Sequence, residues 1–524
     1  MTVTRGPRRA RLLTSAVRLA ALLLAATAAT PPAGASGVPQ AAPLPGHVDA
    51  TAVFPSPTWT DMVGPIALSS PTVATIDGTQ AVVFASEDGE VYVVDANSGA
   101  NLPGWPQPVT LSGGAPTAIE SSPTVAYLDG PGKPPTILIG AGSTYAKNQQ
   151  GGLVAFRVNG TVRFTFHTRD VFNEWNAGSG PPSPDGFDEG VFSTPAVGDI
   201  TGNGQQDIVF GSYDHNLYAL TPKGRLVPGY PLDTEDTIWS SPALAHVRGR
   251  GSKEDIFIGG DATGRKGCYG GFVYDVSYAR NKPRIRWQHC ENQTIWSSPA
   301  LGVLNSSGRL AVVVGTGFGE PPPYKSDSYK LFAFYAATGT TVAGWPVATM
   351  GPTFGSPAIG PLGTSGATAV VDTSWCMSCA ASPGSSTVTA WSGSGSQLWS
   401  QTLRGAQDFS SPVLADLAGS GDTDVLVGSP TGLFPLDGTS GAFLYGTSTA
   451  LALNTCSMQG APAVADVGGS GPGAGWHLFE SCGGPLEIIA TGRLIDYPLP
   501  AAPLAPPPWP MWRGPASDGV ALGT

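Results

Sequence analysis

The hydrophobic residues of this chain occur in short runs that end at turn-forming residues. "AVVFAS" (81–86) and "EVYVVD" (90–95) form one such pair, and "DIVFGS" (207–212) and "NLYAL" (216–220) form another. β-Branched and aromatic residues favour strands, while Gly, Asn and Asp favour the turns between them. The chain also contains 71 Gly and 50 Pro, which cost about 1 and about 3 kcal/mol per position inside a helix. The pattern predicts an all-β protein.

The chain repeats one short phrase, Ser-Ser-Pro or a close variant followed by small apolar residues. Eight copies of the phrase occur, with their prolines at Pro71, Pro123, Pro195, Pro242, Pro299, Pro357, Pro412 and Pro462. After each copy come further short apolar runs, so that each unit is predicted to contain four strands. Units of this length and strand count are typical of the blades of a β-propeller.

The phrase has the properties of an innermost blade strand. Proline has no N–H group and is therefore tolerated at a sheet edge or at the first residue of a strand. The innermost strand of each blade is an edge that faces the central channel, and small residues fit where the blades converge. We therefore expect eight four-stranded blades, or seven if one copy is degenerate, and we expect residues 58–65 to pair with the last blade and close the ring.

The chain divides into four predicted segments. Residues 1–35 have a basic start, an apolar core and "AGA", as in a signal peptide that is cleaved after Ala35 and directs export by the general or the twin-arginine route. Residues 36–57 are predicted to be flexible, residues 58–497 to form the propeller, and residues 498–524 to be a proline-rich segment that packs on the propeller or helps to close it. No later stretch is long and apolar enough for a membrane anchor.

The charge balance bears on the choice of partner. The chain contains 27 basic and 38 acidic residues, and removal of the five arginines of the leader brings the net charge to −16. An acidic surface argues against nucleic acid and anionic membranes as partners. It is compatible with binding of cations.

These repeats resemble the FG-GAP/VCBS-type repeats and also the quinoprotein-like (PQQ-like) propeller repeats of secreted bacterial proteins. The resemblance is carried by the Ser-Ser-Pro phrases, by "GDITGNGQQDIVFGS" (198–212), by "GWP" or "GYP" at Gly104, Gly229 and Gly344, and by "WPMWRG" (509–514). It implies a propeller fold. It implies no single function, because the architecture hosts enzymes, adhesins and scaffolds.

FG-GAP repeats bind calcium through an Asp-rich loop, and the third unit contains a similar loop. Its alternating oxygen-bearing side chains are Asp199, Thr201, Asn203, Gln205 and Asp207. Ca²⁺ takes six to eight oxygen ligands, which such a loop supplies in one turn. We expect either a structural calcium site or a polar hairpin that binds nothing. A weaker candidate follows in the seventh unit, at 416–424.

Alignment of the copies places aromatic residues at one equivalent position, directly before the phrase, in units three to seven. They are Phe192, Trp239, Trp296, Phe354 and Phe409. If this position lies where the inner strand enters, the five form an arc around one channel mouth and could bind sugar rings or apolar peptide side chains. The alternative is that they pack between neighbouring blades.

Six cysteines form three pairs that are close in sequence. Cys268 with Cys290, Cys376 with Cys379, and Cys456 with Cys482 would each form a disulfide within one blade, which suits an exported protein. "CMSC" (376–379) could instead be a redox motif, but it lacks the expected βαβ context.

The sequence favours a secreted, non-enzymatic module that binds a protein or a glycan. The chain has six His, and no HExxH, P-loop or dinucleotide-binding motif. The alternative is an exported enzyme, polysaccharide-acting or quinone-dependent, with a site assembled from loops. The insertion with Asp185, Asp188 and Glu189 would be its only acidic cluster. A surface scaffold is a third hypothesis.

Overall fold

Every regular element of the structure is a β-strand, and the strands form eight antiparallel sheets. The structure is a computed structural model. It describes residues 53–514 except 112–113, 143–149, 169–188, 235, 250–252, 262–267, 269, 318–326, 377–384, 406–408, 449–451, 454–455, 469–474 and 484–490. The sheets follow one another along the chain as the blades of a propeller, which confirms the predicted fold class and the eight-blade count.

The strands are numbered along the chain from β1 (Trp59–Val63), and the strands of each blade run in order from the inner to the outer edge. Blade 1 contains β2 (Thr72–Ile76), β3 (Thr79–Ala85), β4 (Glu90–Asp95) and β5 (Gln107–Pro108), and blade 2 contains β6 (Thr124–Ala126), β7 (Thr136–Ala141), β8 (Gly152–Arg157) and β9 (Val162–His167). Blade 3 contains β10 (Ala196–Gly198), β11 (Asp207–Gly211), β12 (Asn216–Leu220) and β13 (Leu232–Asp233), and blade 4 contains β14 (Ala243–Ala245), β15 (Asp255–Gly259), β16 (Phe272–Ala279) and β17 (Lys282–Cys290). Blade 5 contains β18 (Ala300–Val303), β19 (Leu310–Gly315), β20 (Lys330–Tyr335) and β21 (Val347–Ala348), and blade 6 contains β22 (Ala358–Pro361), β23 (Thr368–Cys376), β24 (Ser385–Ser392) and β25 (Gln397–Arg404). Blade 7 contains β26 (Val413–Ala415), β27 (Asp424–Ser429) and β28 (Gly432–Leu436), and blade 8 contains β29 (Ala463–Asp466), β30 (Trp476–Cys482), β31 (Gly492–Pro498) and the N-terminal β1.

The N-terminal strand closes the ring. β1 pairs antiparallel with β31, with Trp59 opposite Asp496 and Val63 opposite Gly492. It becomes the outermost strand of blade 8, as the sequence predicts for residues 58–65. Closure therefore joins the two ends of the propeller by main-chain hydrogen bonds.

The first serine of the repeated phrase acts within its own blade. In blades 1, 3, 4 and 7 its hydroxyl accepts a hydrogen bond from a main-chain N–H of the second strand, as from Gly211 to Ser193 (3.1 Å) and from Gly259 to Ser240 (3.1 Å). The proline that follows the two serines has no N–H to leave unpaired at this edge.

The second serine of the phrase connects neighbouring blades. Its hydroxyl accepts a hydrogen bond from the main-chain N–H of the equivalent residue in the preceding blade. Six such bonds of 2.8–2.9 Å are present, running from Ala461 to Ser70, Ser70 to Ser122, Thr194 to Ser241, Ser241 to Ser298, Ser298 to Ser356 and Ser356 to Ser411. Each side chain satisfies an otherwise unpaired buried N–H, so the phrase holds the inner ring together.

The two serines of one phrase offer a matched test of this role. We expect Ser298→Ala to lower the free energy of unfolding by about 1–3 kcal/mol, because it leaves the buried N–H of Ser241 without an acceptor. Ser297→Ala is the control, since the buried Ser297 hydroxyl has no hydrogen-bond partner, and it should be neutral or slightly stabilising. The free energy of unfolding of both variants, measured in urea, is the readout. Equal losses of stability in the two variants would contradict the role assigned to the second serine.

The blades alternate between two types. The outer strands β9, β17 and β25 of blades 2, 4 and 6 are six to nine residues long, whereas β5, β13 and β21 of blades 1, 3 and 5 have two residues each. The "GWP" and "GYP" segments at Gly104, Gly229 and Gly344 lead into the short outer strands. The structural repeat is thus a pair of blades.

In both blade types, tryptophan indole groups donate hydrogen bonds to main-chain carbonyls of the next blade. In the long outer strands, the indole N–H of Trp287 donates to the carbonyl of Ala336 (2.9 Å) and that of Trp399 to Gly438 (2.9 Å). Before a short outer strand, the indole N–H of Trp105 donates to Val158 of blade 2 (2.8 Å). The tryptophans therefore bury apolar area between blades and also satisfy main-chain carbonyls there.

Candidate functional site

Each inner strand runs from one mouth of the channel to the other. The candidate site lies at the mouth where these strands begin. Each inner strand starts after the residue aligned with the five aromatics, and the eight aligned residues surround this end of the channel, which we call the aromatic mouth. They are, in blade order, Leu68, Glu120, Phe192, Trp239, Trp296, Phe354, Phe409 and Gln459, and all but Trp239 line one cavity. The structure therefore brings all five predicted aromatics together.

The five aromatic rings form one continuous row. Successive ring centroids are 5.3 Å apart from Phe192 to Trp239, 4.3 Å to Trp296, 4.9 Å to Phe354 and 5.1 Å to Phe409. The last three pairs are stacked, with interplanar angles of 16–30°. Each inner member of the row therefore contacts an aromatic ring on either side.

This geometry bears on both hypotheses for the aromatic residues. The rings lie in successive blades and contact one another, as the packing hypothesis expects. A sugar platform needs a free ring face, and stacking places a ring on both sides of Trp296 and of Phe354. The arc thus forms an apolar wall of the cavity.

Polar groups occupy the wall opposite the arc. Gln459 of blade 8 and Glu120 of blade 2 flank Leu68 of blade 1, and all three line the cavity. Gln459 is 1% exposed, and neither its amide oxygen nor its amide nitrogen has a hydrogen-bond partner. Glu120 is 5% exposed. An orphaned buried amide is uncommon in native proteins and requires an explanation.

The C-terminal segment contributes one residue to the lining of the cavity. Trp512 lines the cavity, and its indole N–H donates to the hydroxyl of Thr194 in blade 3 (2.9 Å). The volume of the cavity is about 30 Å³. We call this cavity the cup.

The C-terminal segment reaches the cup from the opposite mouth. The N–H of Leu504 donates to Asp416 in a loop at that mouth (3.1 Å). Farther along, Trp509 bridges to Leu414 on the inner strand of blade 7, and the carbonyl of Pro510 accepts from Val464 on that of blade 8 (2.7 Å). The segment therefore lies along the inner strands between the opposite mouth and the cup.

The predicted calcium loop in blade 3 is held by Asp199. Its carboxylate accepts main-chain N–H groups from Gly202 (2.7 Å), Asn203 (3.1 Å) and Gly204 (2.8 Å). The side-chain oxygen of Asn203 accepts the N–H of Gln205 (2.8 Å), whose own side chain is exposed. The loop is therefore closed by its own hydrogen bonds.

Asp207 ends the same loop, and one oxygen of its carboxyl group has no hydrogen-bond partner. Its Oδ2 accepts the N–H of Thr201 (3.2 Å), but its buried Oδ1 has no hydrogen-bond partner. Burial raises the pKa of Asp207 to about 6, with nearby Asp199 acting in the same direction and hydrogen bonds from Thr201 in the opposite one. This carboxyl would gain from a cation beside it.

The weaker loop in blade 7 has the same arrangement. Asp416 accepts the main-chain N–H groups of Ser420 (3.0 Å) and Gly421 (2.9 Å), as Asp199 does in blade 3. Burial raises the pKa of Asp424 well above its ordinary value. Among the residues that the structure describes, no group of three or more His, Cys, Asp or Glu side chains is placed to hold a metal ion. Any calcium would depend on amide, hydroxyl and main-chain oxygens as well.

Two of the three expected disulfides are present. Cys268 is bonded to Cys290 and Cys456 to Cys482, with Cα–Cα distances of 5.5 and 5.7 Å. Cys379 lies outside the described residues, so the Cys376–Cys379 pairing stays a prediction. Two disulfides indicate an oxidising compartment outside the cytoplasm.

The acidic insertion is described only at its end. Asp185 and Asp188, like the proposed signal peptide, lie outside the described residues. Glu189 is buried, and the amide nitrogen of Gln150 lies 3.5 Å from its Oε2. Glu189 does not line the cup.

Sequence reasoning missed the polar half of the cup. Glu120 and Gln459 stand at the same aligned position as the aromatics, and this alignment was the signal that could have identified them. Trp512 had no such signal, because only the fold brings it to Thr194.

Comparisons with known proteins support the fold and no particular activity. The biofilm matrix protein Bap1 of V. cholerae aligns with a TM-score of 0.54 and 13% identity over 85% of this chain and 91% of that chain. BamB from Moraxella catarrhalis aligns with a TM-score of 0.47 and 13% identity over 85% and 99%, and a europium-containing methanol dehydrogenase with 0.41 and 12% over 82% and 81%. No family model matches the chain, and no curated protein matches it either. At these identities the likeness concerns the fold alone.

Proposed function

We propose that this protein is an exported, non-enzymatic binding module that takes a protein or glycan ligand into the cup at the aromatic mouth. The observation that carries the proposal is the buried amide of Gln459, which lines the cup with both of its polar atoms unpaired. Ligand sites are typically concave and mostly apolar, with a few convergent polar groups. The apolar arc and the Gln459–Glu120 wall have this composition.

The surroundings of the cup support the same proposal. The connections 142–151, 260–271 and 316–329 join the second and third strands of blades 2, 4 and 5 and begin and end at the aromatic mouth. Long connections on a rigid scaffold commonly carry binding residues.

Among the described residues, no helix is long and apolar enough to cross a membrane.

The enzymatic alternative has less support. The described residues that line the cup include one carboxyl group, that of Glu120, and no histidine. General acid–base catalysis needs a positioned donor and acceptor of protons. We therefore place a polysaccharide-acting or quinone-dependent activity second.

Replacement of Gln459 tests the proposal. We expect Gln459→Leu to weaken ligand binding about 10- to 100-fold, because each lost hydrogen bond contributes about 1 kcal/mol and the leucine cannot replace it. The melting temperature should stay equal or rise, because the amide has no partner in the free protein. Binding of immobilised glycans and peptides by the variant and by wild-type protein is the measurement.

Ser297→Ala, a buried substitution outside the cup lining, is the control and should retain full binding. A ligand bound equally by wild type and Gln459→Leu would place the binding site elsewhere on the propeller.

We also propose that the blade 3 loop holds a structural Ca²⁺, supported by the unpaired Oδ1 of Asp207 and the neighbouring Asp199. A native-state ligand at about 100 times its Kd stabilises by about 2.7 kcal/mol. We expect Ca²⁺ to raise the melting temperature of metal-free protein, and this shift to vanish in Asp199→Ala but persist in Asp416→Ala. The shift within each variant is the readout, because Asp199→Ala also removes an acceptor of three N–H groups. Identical melting with and without Ca²⁺ in wild type would exclude the site.

A further inference from the structure

The positive charges of this acidic chain are concentrated on one side of the propeller. Sixteen of the 22 Lys and Arg residues that follow the proposed leader lie within 124–290, the span of blades 2–4. The stretches that follow the first and third strands of a blade lie at the end opposite the aromatic mouth. In blades 2–4 these stretches contain seven Lys and Arg residues, whereas in blades 6, 7 and 1 they contain none. This end therefore has a basic side.

Arg163 connects the basic residues of blades 2 and 3. It lies on the outer strand of blade 2, forms two hydrogen bonds of 2.7 Å with the carboxylate of Asp129, and donates a third to the carbonyl of Pro222 in blade 3 (3.1 Å). The pKa of Asp129 is lowered, chiefly by the hydrogen bonds from Arg163 and further by the charges of Lys133 and Lys223. Cations of two blades therefore lie around a single carboxylate.

The basic residues of blade 4 continue this row. The main chain of Lys282 lies so close to Gly229 of blade 3 that a Cβ atom at Gly229 would be 2.7 Å from the Cα of Lys282. The hydroxyl of Tyr278 donates to the carbonyl of Pro228 (3.0 Å), and the Nζ of Lys253 lies 6.0 Å from the centre of the Tyr278 ring. The row thus crosses three blades. We call it the basic rim and define it as Arg163, Lys223, Arg225, Lys253, Lys282 and Arg284.

Most cations of the basic rim are available to a ligand. Four of them are exposed and form no ion pair within the part of the chain that the structure describes, namely Lys223, Arg225, Lys282 and Arg284. Other cations of blade 4 are already neutralised, since Arg248 and Arg286 share the buried carboxylate of Asp255 (3.2 and 2.7 Å). An anionic ligand would therefore find free positive charges in each of blades 3 and 4.

An exposed aromatic ring lies beside the rim. Tyr127 is 47% exposed and is the one exposed aromatic side chain among the described residues. It lies two residues before Asp129, the partner of Arg163, and no other described ring contacts it. Its faces are thus not covered by a neighbouring ring, in contrast to those of Trp296 in the aromatic arc.

From these features we propose that the basic rim binds an acidic polysaccharide, whose carboxylates pair with the exposed Lys and Arg side chains and whose sugar rings contact Tyr127. Arg binds a carboxylate through two parallel hydrogen bonds, and such charge-assisted bonds are about twice as strong as neutral ones. A linear chain can follow the row of cations from blade to blade. The site lies at the end opposite the cup and is independent of the proposed function.

The surroundings of the rim favour a polysaccharide over other polyanions. Two disulfides indicate a compartment outside the cytoplasm, where nucleic acid is not the expected partner. An acidic polypeptide would pair with the same cations but would bring no sugar ring to Tyr127. Sugar rings have apolar faces that pack against an open aromatic side chain.

The first test concerns the charges. The probe is an oligomer of polygalacturonate, with its methyl ester as the uncharged counterpart, and dissociation constants are measured by titration calorimetry on the whole protein in calcium-free buffer at low salt. We expect the wild type to bind the acid but not the ester, and to bind it more weakly at about 0.5 M salt, which screens exposed charges. The double variant Arg225→Glu/Arg284→Glu should lower the affinity at least about tenfold.

The double variant Arg404→Glu/Arg493→Glu is the matched control. It changes the net charge by the same amount at two exposed positions outside the rim, so its affinity should stay within about twofold of the wild type. Gln459→Leu should also bind polygalacturonate as the wild type does, because Gln459 lies in the cup.

The second test concerns the sugar rings. Tyr127→Ala should weaken polygalacturonate binding about three- to tenfold, because it removes the exposed aromatic face. The same variant should bind poly-L-glutamate, which has carboxylates but no sugar rings, as the wild type does. The wild type should bind poly-L-glutamate and double-stranded DNA more weakly than polygalacturonate of equal charge.

Several outcomes would overturn the inference. They are no binding of polygalacturonate by the wild type, equal losses in the two double variants, and equal affinity for poly-L-glutamate or DNA. Dimerisation at low salt that is lost in Arg225→Glu/Arg284→Glu, without polygalacturonate binding, would assign the rim to a second copy of the chain. Loss of polygalacturonate binding in Gln459→Leu would place this ligand in the cup instead, whereas failure of the cup on the glycan and peptide panel would leave the rim unaffected.

Discussion

Trp509→Ala is expected to lower the free energy of unfolding by about 3–5 kcal/mol, the usual cost of removing a large buried aromatic side chain. Trp509 is 1% exposed and packs with the hydrophobic core of blades 5–7, although it lies in the proline-rich C-terminal segment. Its main chain also pairs with Leu414 on the inner strand of blade 7 (2.9 Å). Denaturant unfolding of the variant measures the loss.

The same segment provides the control. The side chain of Leu504 is 72% exposed, so Leu504→Ala should change stability by less than about 0.5 kcal/mol. If Trp509→Ala were as mild as Leu504→Ala, the segment would be an appendage of the propeller. The expected difference would establish that residues near 509 are part of its core.

The second large effect concerns the dependence of stability on pH. Asp275 is 0% exposed on β16, and burial raises its pKa to about 7, with nearby Asp255 adding to the rise and Arg286 opposing it. The folded protein therefore retains this proton up to about pH 7, whereas the unfolded chain releases it near pH 4. The stabilising contribution is complete below pH 4 and is lost as the pH rises through 7.

We therefore expect wild-type stability to fall between pH 5 and pH 8, with about 2–3 kcal/mol of the loss due to Asp275. Asp275→Asn has no proton to release, so its stability should fall by that much less over the same range. Burial also raises the pKa of Asp207 to about 6 and that of Glu291 to about 8. The stability of Asp275→Asn should therefore still decrease as the pH rises, but less steeply than that of the wild type. Denaturant unfolding at several pH values measures the slopes.

Ser277→Ala is the control for a substitution on the same strand. Ser277 is buried near Asp275 and has no titratable group in this range, so the variant should retain the wild-type slope. Equal slopes in wild type and Asp275→Asn would show that the carboxyl of Asp275 is ionised in the folded protein.

Much of the fold could be predicted from local sequence because a blade is a local unit. Its strands are neighbours in the chain, as in the pairing of β10, β11 and β12, so strand propensity, turn residues and the repeated phrase suffice to identify it. Repetition then supplied the blade count. The same alignment predicted the arc of aromatics, since equivalent positions in equivalent blades lie on one circle.

Other features could not be predicted from local sequence, because they depend on contacts between neighbouring blades. The alternation of long and short outer strands was present in the spacing of Gly104, Gly229 and Gly344, but its meaning required the contacts of Trp105 and Trp287 with the next blade. The role of the second serine likewise could be recognised only once the structure placed its hydroxyl beside a main-chain N–H of the preceding blade.

The sequence by itself indicated the class of fold, a ring of eight or seven blades, the joining of the N-terminal residues to the last blade and an arc of five aromatics at one position. Only the tertiary structure decided which residues face one another across the channel. Ring closure brings Ala461 to Ser70, 391 positions earlier, and Trp512 to Thr194, 318 positions earlier. Contacts at such separations depend on the accumulated geometry of every blade between them, so no local pattern of residues encodes the cup or its orphaned amide.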